Sequence, residues 1–214
     1  MKIQNTAIAT IGLSLFLTAC GGGSKKTSES EKAEKEKQDH SFNPDETKLK
    51  WISYKHNAKN PVPGTFDKYK IKPGKDTAKD PLDLVSGAKF GVSTSEVNTK
   101  DTARDRKIVE HFFGNMKEPS SKISGSVTSI KGTGDMSIEL ELNGKRKSVT
   151  GEYEMKGNKF TYMATIDVKD WGADKSVKAL QKACEAKHTG QDGKTKLWSE
   201  VKIIMKATFD KDCE

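Results

Sequence analysis

From about Lys48 onward, apolar residues recur at every second position more often than at helical spacing. That is the pattern of strands that turn one face to a core. The clearest run sets Met136, Ile138, Leu140 and Leu142 on one face and Ser137, Glu139 and Glu141 on the other. Asn143-Gly144 follows at once, and both residue types tolerate the positive φ that a two-residue hairpin turn demands. The return strand turns Val149, Gly151, Tyr153 and Met155 inward. After Gly157-Asn158, a third strand alternates Phe160, Tyr162, Ala164, Ile166 and Val168 with Lys159, Thr161, Met163, Thr165 and Asp167. The pattern predicts a three-stranded antiparallel meander.

Further strands are expected at Leu49 to His56, Thr65 to Ile71, Lys89 to Val97, Ile123 to Ile130 and Val201 to Phe209. Eight strands with one apolar face each favour a mainly β fold, an eight-stranded antiparallel β-barrel, because closure removes exposed edges. Two segments break the alternation. Asp101 to His111 opens on acidic residues, and Asp174 to His188 carries Val177, Leu180 and Cys184 at helical spacing before Gly190. Both are read as short helices. No repeat and no Pro/Gly/Ser-rich linker divides residues 48–214, which are taken as one domain.

Ahead of it the chain changes character. Lys2 precedes an apolar stretch, Ala7 to Leu17, of the length of a signal-peptide core and too short to span a bilayer. It ends in Leu17-Thr18-Ala19-Cys20, which resembles the lipobox of bacterial lipoproteins. The resemblance implies a signal peptide over 1–19 and a Cys20 carrying palmitate-type acyl chains that hold the protein to a membrane without crossing it. Each buried methylene contributes about 0.8 kcal/mol, and more than one chain makes anchoring stable. Residues 20–47 begin as a polar run of Lys, Glu and Ser with few large apolar side chains, too few to offset ordering. They are read as a flexible linker, with a short exposed helix at Glu29 to Lys37 left open. Gly21 after the cysteine points, by resemblance to lipoprotein sorting signals, to the outer membrane facing the periplasm.

Composition narrows the function. Lys+Arg number 38 against 30 Asp+Glu, a net charge of +8, but only Arg104, Arg106 and Arg146 are arginines. Nucleic-acid recognition favours the guanidinium fork, so no nucleic-acid partner is expected. The lysine excess is read as a solvated outer face, with attraction to anionic headgroups as the alternative. His40, His56, His111 and His188 fall in separate elements, and no H-E-x-x-H, G-x-S-x-G or P-loop pattern is present. No catalytic residue, no metal site and no enzyme activity are therefore expected. Cys184 and Cys213 remain once Cys20 is acylated, and export permits a bridge between them.

Several spaced words agree on a family. Ser95-Glu96-Val97-Asn98-Thr99, Arg104-Asp105 and Phe112-Phe113 resemble the signature of the YceI-like bacterial lipid-binding proteins. Gly64-Thr65-Phe66, Leu142-Asn143-Gly144 and Trp198-Ser199-Glu200-Val201 extend the similarity over about residues 48–210. The resemblance implies a lipocalin-like barrel with an isoprenoid chain in a central tunnel. The segment 174–197 is longer than in compact members and is expected either to narrow the tunnel mouth or to reshape it.

The expected ligand is a hydrophobic small molecule, a polyisoprenoid or quinone-like lipid, with no other cofactor. Gly125, Gly151, Ala164 and Ala207 on the inward face leave volume for it, and burying ten carbons supplies roughly 8 kcal/mol before association costs. The early elements are expected to line the tunnel through Phe66, Phe90, Val92, Phe112, Phe113 and Val127. The meander adds Ile138, Leu140, Val149, Tyr153, Tyr162 and Ile166, and the last strand Ile203 and Met205. Arg104 and Asp105 are read either as an ion pair that fixes the helix or as a headgroup contact. The alternative to lipid carriage is a non-enzymatic envelope interaction module whose barrel is filled by its own side chains. Pairing of two barrels as a homodimer stays open.

Overall fold

The computed structural model describes residues 39–117 and 122–211. Cys20, Cys213 and the polar run before Asp39 lie outside the described residues, and with them the lipidation site and the proposed bridge to Cys184. All described residues fall within one compact unit, 37–214.

Strands dominate, as the alternation predicts. They are β1 (His40–Phe42), β2 (Lys48–Lys55), β3 (Asn60–Phe66), β4 (Tyr69–Lys72), β5 (Thr77–Ala78), β6 (Lys89–Ser93), β7 (Val97–Asn98), β8 (Lys122–Ile130), β9 (Asp135–Leu142), β10 (Lys145–Lys156), β11 (Lys159–Asp167) and β12 (Leu197–Lys211). All pairings between them are antiparallel, in the order β4-β6-β8-β9-β10-β11-β12-β2-β3-β7, with β1 added beside β12 and β5 beside β1. The helices are α1 (Pro81–Val85), α2 (Thr102–Lys107), α3 (Asp174–Ala183) and α4 (Glu185–His188). A π-helical turn, Ile108–Phe112, and a 3₁₀ turn, Phe113–Asn115, prolong α2.

The strand count differs from eight for an identifiable reason. The expected strands at 65–71 and 89–97 are each broken, the first at Asp67-Lys68 and the second by a 3₁₀ turn at Thr94–Glu96. Phe66 pairs with Val97 and Tyr69 with Val92, so two extra residues on the second strand must be looped out between them. Backbone bonds from Asp67 N to Glu96 O (2.8 Å) and from Ser93 N to Lys68 O (3.2 Å) carry the pairing across the break. The two end strands of the path, β4 and β7, are thus chain continuations of β3 and β6. The sheet curls until its ends meet.

A second difference lies at the start of the folded body, placed at residue 48 by composition. His40, Ser41 and Phe42 pair with Lys211, Asp210 and Phe209, Phe42 packs on the core and Thr47 is buried. Residues 40–47 therefore belong to the fold and not to the linker. Three residues are too short for alternation to register.

The meander is the best-packed region. Met136, Ile138, Leu140 and Leu142 are all buried, as are Phe160, Tyr162, Ala164 and Ile166. Three large rings lie flat on the sheet where glycine leaves room. A Cβ on Gly64 would stand 2.1 Å from Trp51 Cζ2, one on Gly125 2.5 Å from Phe90 Cζ, and one on Gly151 2.8 Å from Tyr162 Cε2. Real Cβ contacts are never so short, so each ring and its glycine are required together.

The β9–β10 turn is more than a hairpin. Asn143 has φ 53° and Gly144 φ 70°, the left-handed values the dipeptide predicts. Asn143 is also buried: its Nδ2 donates to Trp171 O (2.8 Å), and Lys117 N donates to its Oδ1 (2.7 Å). Trp171 in turn donates Nε1 to Leu140 O (3.1 Å). One side chain thus ties the turn to the segments after β11 and before β8. Asn143→Gly keeps the backbone conformation and removes only these bonds, leaving a buried carbonyl unpaired, and should cost about 1–3 kcal/mol in urea denaturation. A change smaller than the error of the measurement would show that the amide is dispensable.

Candidate functional site

The inward positions are not equally filled. On β9 and β11 they are fully buried, whereas Leu49, Trp51, Phe66, Phe90, Ile123, Val127, Val201, Ile203 and Met205 are only half-buried although they face inward. What they face is a hollow of about 210 Å³ between β2, β3, β6, β8 and β12 on one side and the meander on the other. The hollow is apolar almost throughout. Among its lining groups the phenol of Tyr162 is the most deeply buried polar one, pushed up to about 12 by burial and therefore neutral. Its hydroxyl donates weakly to Val149 O (3.4 Å).

Helices close one end. Val177 and Leu180 of α3 reach the hollow together with Ile108, Phe112 and Phe113 of the turns after α2, the two Phe rings meeting edge to face at 5.1 Å. The long segment 174–197 thus does lie at the hollow, and Leu197 lines it too. The opposite end is filled. Tyr153 stacks on Phe160 (6.1 Å), which packs on Phe209 (6.5 Å), and Phe42 covers them.

Most residues expected to line the tunnel stand on the hollow: Phe66, Phe90, Val92, Phe112, Phe113 and Val127, then Ile138, Leu140, Tyr162, Ile166, Ile203 and Met205. Val149 and Tyr153 do not. Val149 is buried in the core beside Tyr162, and Tyr153 belongs to the filled end, its hydroxyl donating to Lys131 O (3.0 Å). Alternation gives the face of a residue and not its depth along the axis. Trp51 and Leu49 were missed although the Leu49/Trp51/Ser53 alternation was there to find them, and Trp198 was missed because it sits beside the irregular pairing between Leu197 and Val201.

Arg104 and Asp105 do not pair with each other, because successive helix positions do not face one another. Both converge on buried Thr99. Arg104 Nε donates to Thr99 Oγ1 (2.9 Å), which donates to Asp105 Oδ1 (2.6 Å), and Thr99 N donates to the same oxygen (2.8 Å). Arg104 also faces Asp101, the residue that caps α2. Neither side chain lines the hollow. Their place is to lock α2 onto β7, and the headgroup reading of Arg104 finds no support in this placement.

Among the described residues no three His, Cys, Asp or Glu side chains converge as metal ligands. His56 Nε2 lies 3.1 Å from Lys187 O. His188 is buried, and its Nδ1 has no partner among the described residues. Burial first, then the charges of Lys55, His56 and Lys107, hold its pKa down to about 4. The folded state keeps this imidazole neutral while the unfolded chain binds a proton near pH 6.5. Stability therefore falls as pH drops below about 6.5 and levels off near 4. His188→Gln should flatten that dependence. The check is urea denaturation of both proteins at about pH 7 and about pH 5, and equal losses would contradict the assignment.

An antiparallel sheet curled around an apolar hollow, with short helices over one end, is the architecture of a lipocalin-like barrel. The YceI-like domain model matches residues 40–209, and the chain belongs to that family. Two solved structures share the fold. One is a polyisoprenoid binding domain from Saccharophagus degradans implicated in plant cell wall breakdown, 12% identical, with a TM-score of 0.53 over 81% of this chain and 98% of that one. The other is BcnA of Burkholderia cenocepacia, 14% identical, with a TM-score of 0.52 over 78% of this chain and 98% of that one. No curated protein matches the sequence.

Proposed function

We propose that this protein binds a polyisoprenoid or quinone-like lipid, for storage, sequestration or transfer, and is not an enzyme. The observation that carries the reading is the apolar hollow, bounded by rings and aliphatic side chains from seven strands, α3 and the turns that follow α2 and β11. The binding described for the Saccharophagus degradans relative supports it. Counting β3–β4 and β6–β7 as one bent strand each, the body is an eight-stranded barrel, a size with room for one small ligand. A module with a side-chain-filled barrel accounts less well for inward apolar positions that stay half-buried.

The ligand would gain about 25 cal/mol for each Å² of apolar surface it removes from water. At about 210 Å³ the hollow is smaller than the roughly 300–1,000 Å³ of pockets for drug-sized ligands. A long tail would therefore displace the half-buried side chains at the helical end, Phe112, Phe113 and Leu180. Arg104 and Thr99 hold α2 behind them.

The reading extends to location. Cys20, in its lipobox-like setting, would be acylated and would anchor the protein in the bacterial envelope, on the periplasmic face of the outer membrane. Cells fed labelled palmitate should label the protein and not Cys20→Ala, and label on both would remove the anchor from the proposal.

Organic extraction and mass spectrometry of the purified protein should release a prenyl or alkyl lipid. Val127→Trp fills the hollow at a cost of roughly 1–3 kcal/mol in stability and should abolish both the extracted lipid and the change in Trp51 and Trp198 fluorescence on adding farnesol. A folded Val127→Trp protein that still binds farnesol would overturn the assignment of the hollow as the site.

A further inference from the structure

The outward positions of an antiparallel sheet around a core are ordinarily polar, and on β2 and β12 they are not. Leu49, Trp51 and Ser53 face the hollow, as do Val201, Ile203 and Met205. Alternation therefore turns the side chains of Lys50, Ile52 and Tyr54, and of Lys202, Ile204 and Lys206, to the outside. Register sets them in rows across four strands. Met163, Ile204 and Lys50 form one row, Thr165, Lys202, Ile52 and Pro63 the next, with Lys206 beside Lys48 at one border and Tyr54 beside Pro61 at the other. Met163 is 37% exposed, the one large hydrophobic side chain so placed among the described residues. Ile52, Tyr54 and Ile204 are half-buried, and Pro61 and Pro63 are exposed.

The charge on this face has one sign. Among the described residues no carboxylate pairs with Lys48, Lys50, Lys202 or Lys206. The outward acids stand on other strands or at the margin: Glu139 and Glu141 with Arg146, Glu154 with Lys156, and Glu200 with Lys59. Glu152 stands opposite Met163 and marks the border. The free side of the patch is closed to a further strand, because β3 pairs with β7 only at Thr65 and Phe66, and Pro61 and Pro63 have no N–H to offer along the rest of that edge. A contiguous apolar patch rimmed by polar residues marks an interaction site. Protein interfaces are depleted in lysine at their centre. A bilayer surface instead suits lysines set among aliphatic side chains, since the stem lies along its apolar neighbour while the ammonium reaches a headgroup.

We infer that the outer face of β11, β12, β2 and β3 docks on an anionic bilayer surface, with Met163, Ile204 and Ile52 against the membrane and Lys50 and Lys202 among its phosphates. The barrel then lies on its side, with the acids of β9 turned away from the negative surface. The inference concerns the outside of the sheet and is independent of what the hollow holds.

Co-sedimentation of the full-length Cys20→Ala chain, which cannot be acylated at that position, with vesicles of phosphatidylcholine or of an equimolar mixture with phosphatidylglycerol tests it. Binding should be tighter on the anionic vesicles and fall as salt is raised. Lys50→Gln/Lys202→Gln should weaken it roughly thirtyfold, at about fivefold for each lysine. Lys72→Gln/Lys89→Gln removes the same charge from a paired row on β4 and β6 and should leave binding nearly unchanged. A second measurement does not depend on the lysine variants: brominated acyl chains should quench the added indole of Met163→Trp and not that of Lys72→Trp. Equal binding to the two compositions, equal loss in the two lysine pairs, or equal quenching of the two reporters overturns the assignment. A dimer that Lys50→Gln/Lys202→Gln dissociates in analytical ultracentrifugation gives the face to a second copy of this chain and overturns it too.

Discussion

A sheet can wrap around large aromatic side chains only where the strand beneath each ring gives up its own side chain. That constraint recurs here as Trp51 on Gly64, Phe90 on Gly125 and Tyr162 on Gly151. Each pair joins neighbouring strands, β2 with β3, β6 with β8 and β10 with β11. The rings lie along the inner surface instead of pointing across it. A ring laid flat covers its neighbour strand and leaves the axis empty, which is how a sheet so rich in inward aromatics still encloses a hollow.

The two ends of the axis are treated differently by the same inward face. Toward the β10–β11 turn, Tyr153 stacks on Phe160, Phe209 meets Phe160 at a tilt, and Phe42 packs on the same core, which fills the space. Toward the helices, the residues are aliphatic or half-buried, and α3 lends only Val177 and Leu180. The helical lid is held by polar contacts at its margins: Thr99 with Arg104 and Asp105, and Lys107 on the carbonyl of Ala183. Dense apolar packing stabilises the filled end, and hydrogen bonds to charged groups position the lid.

The meander was legible because Asn143-Gly144 and Gly157-Asn158 set register, and register sets which face every later residue takes. Phe160, Tyr162 and Ile166 are buried on that account, and the hollow's lining from Ile138 to Met205 follows from the same parity. Depth was not legible: Tyr153 and Tyr162 share a face and residue type, and only their cross-strand neighbours decide that one fills and the other lines. Broken strands also escape, since the looped-out residues at Thr94–Glu96 interrupt pairing without interrupting composition. Asp105 was assigned a partner by adjacency, when its partner is the backbone and hydroxyl of Thr99 six residues back. The contact between Lys59 and the Trp198 ring is made by the β2–β3 turn and by nothing near Trp198 in sequence.

The pairing of His40–Phe42 with the last residues of β12 has a geometric consequence. Trp198 and Phe209 stand on the same strand, eleven residues apart, which at about 3.3 Å per residue is roughly 35 Å. The chain therefore enters the folded body at the far pole from the lysine-flanked indole. The two ends of this one strand thus mark opposite poles of the body, with the chain's entry beside Phe209 at one and the indole at the other.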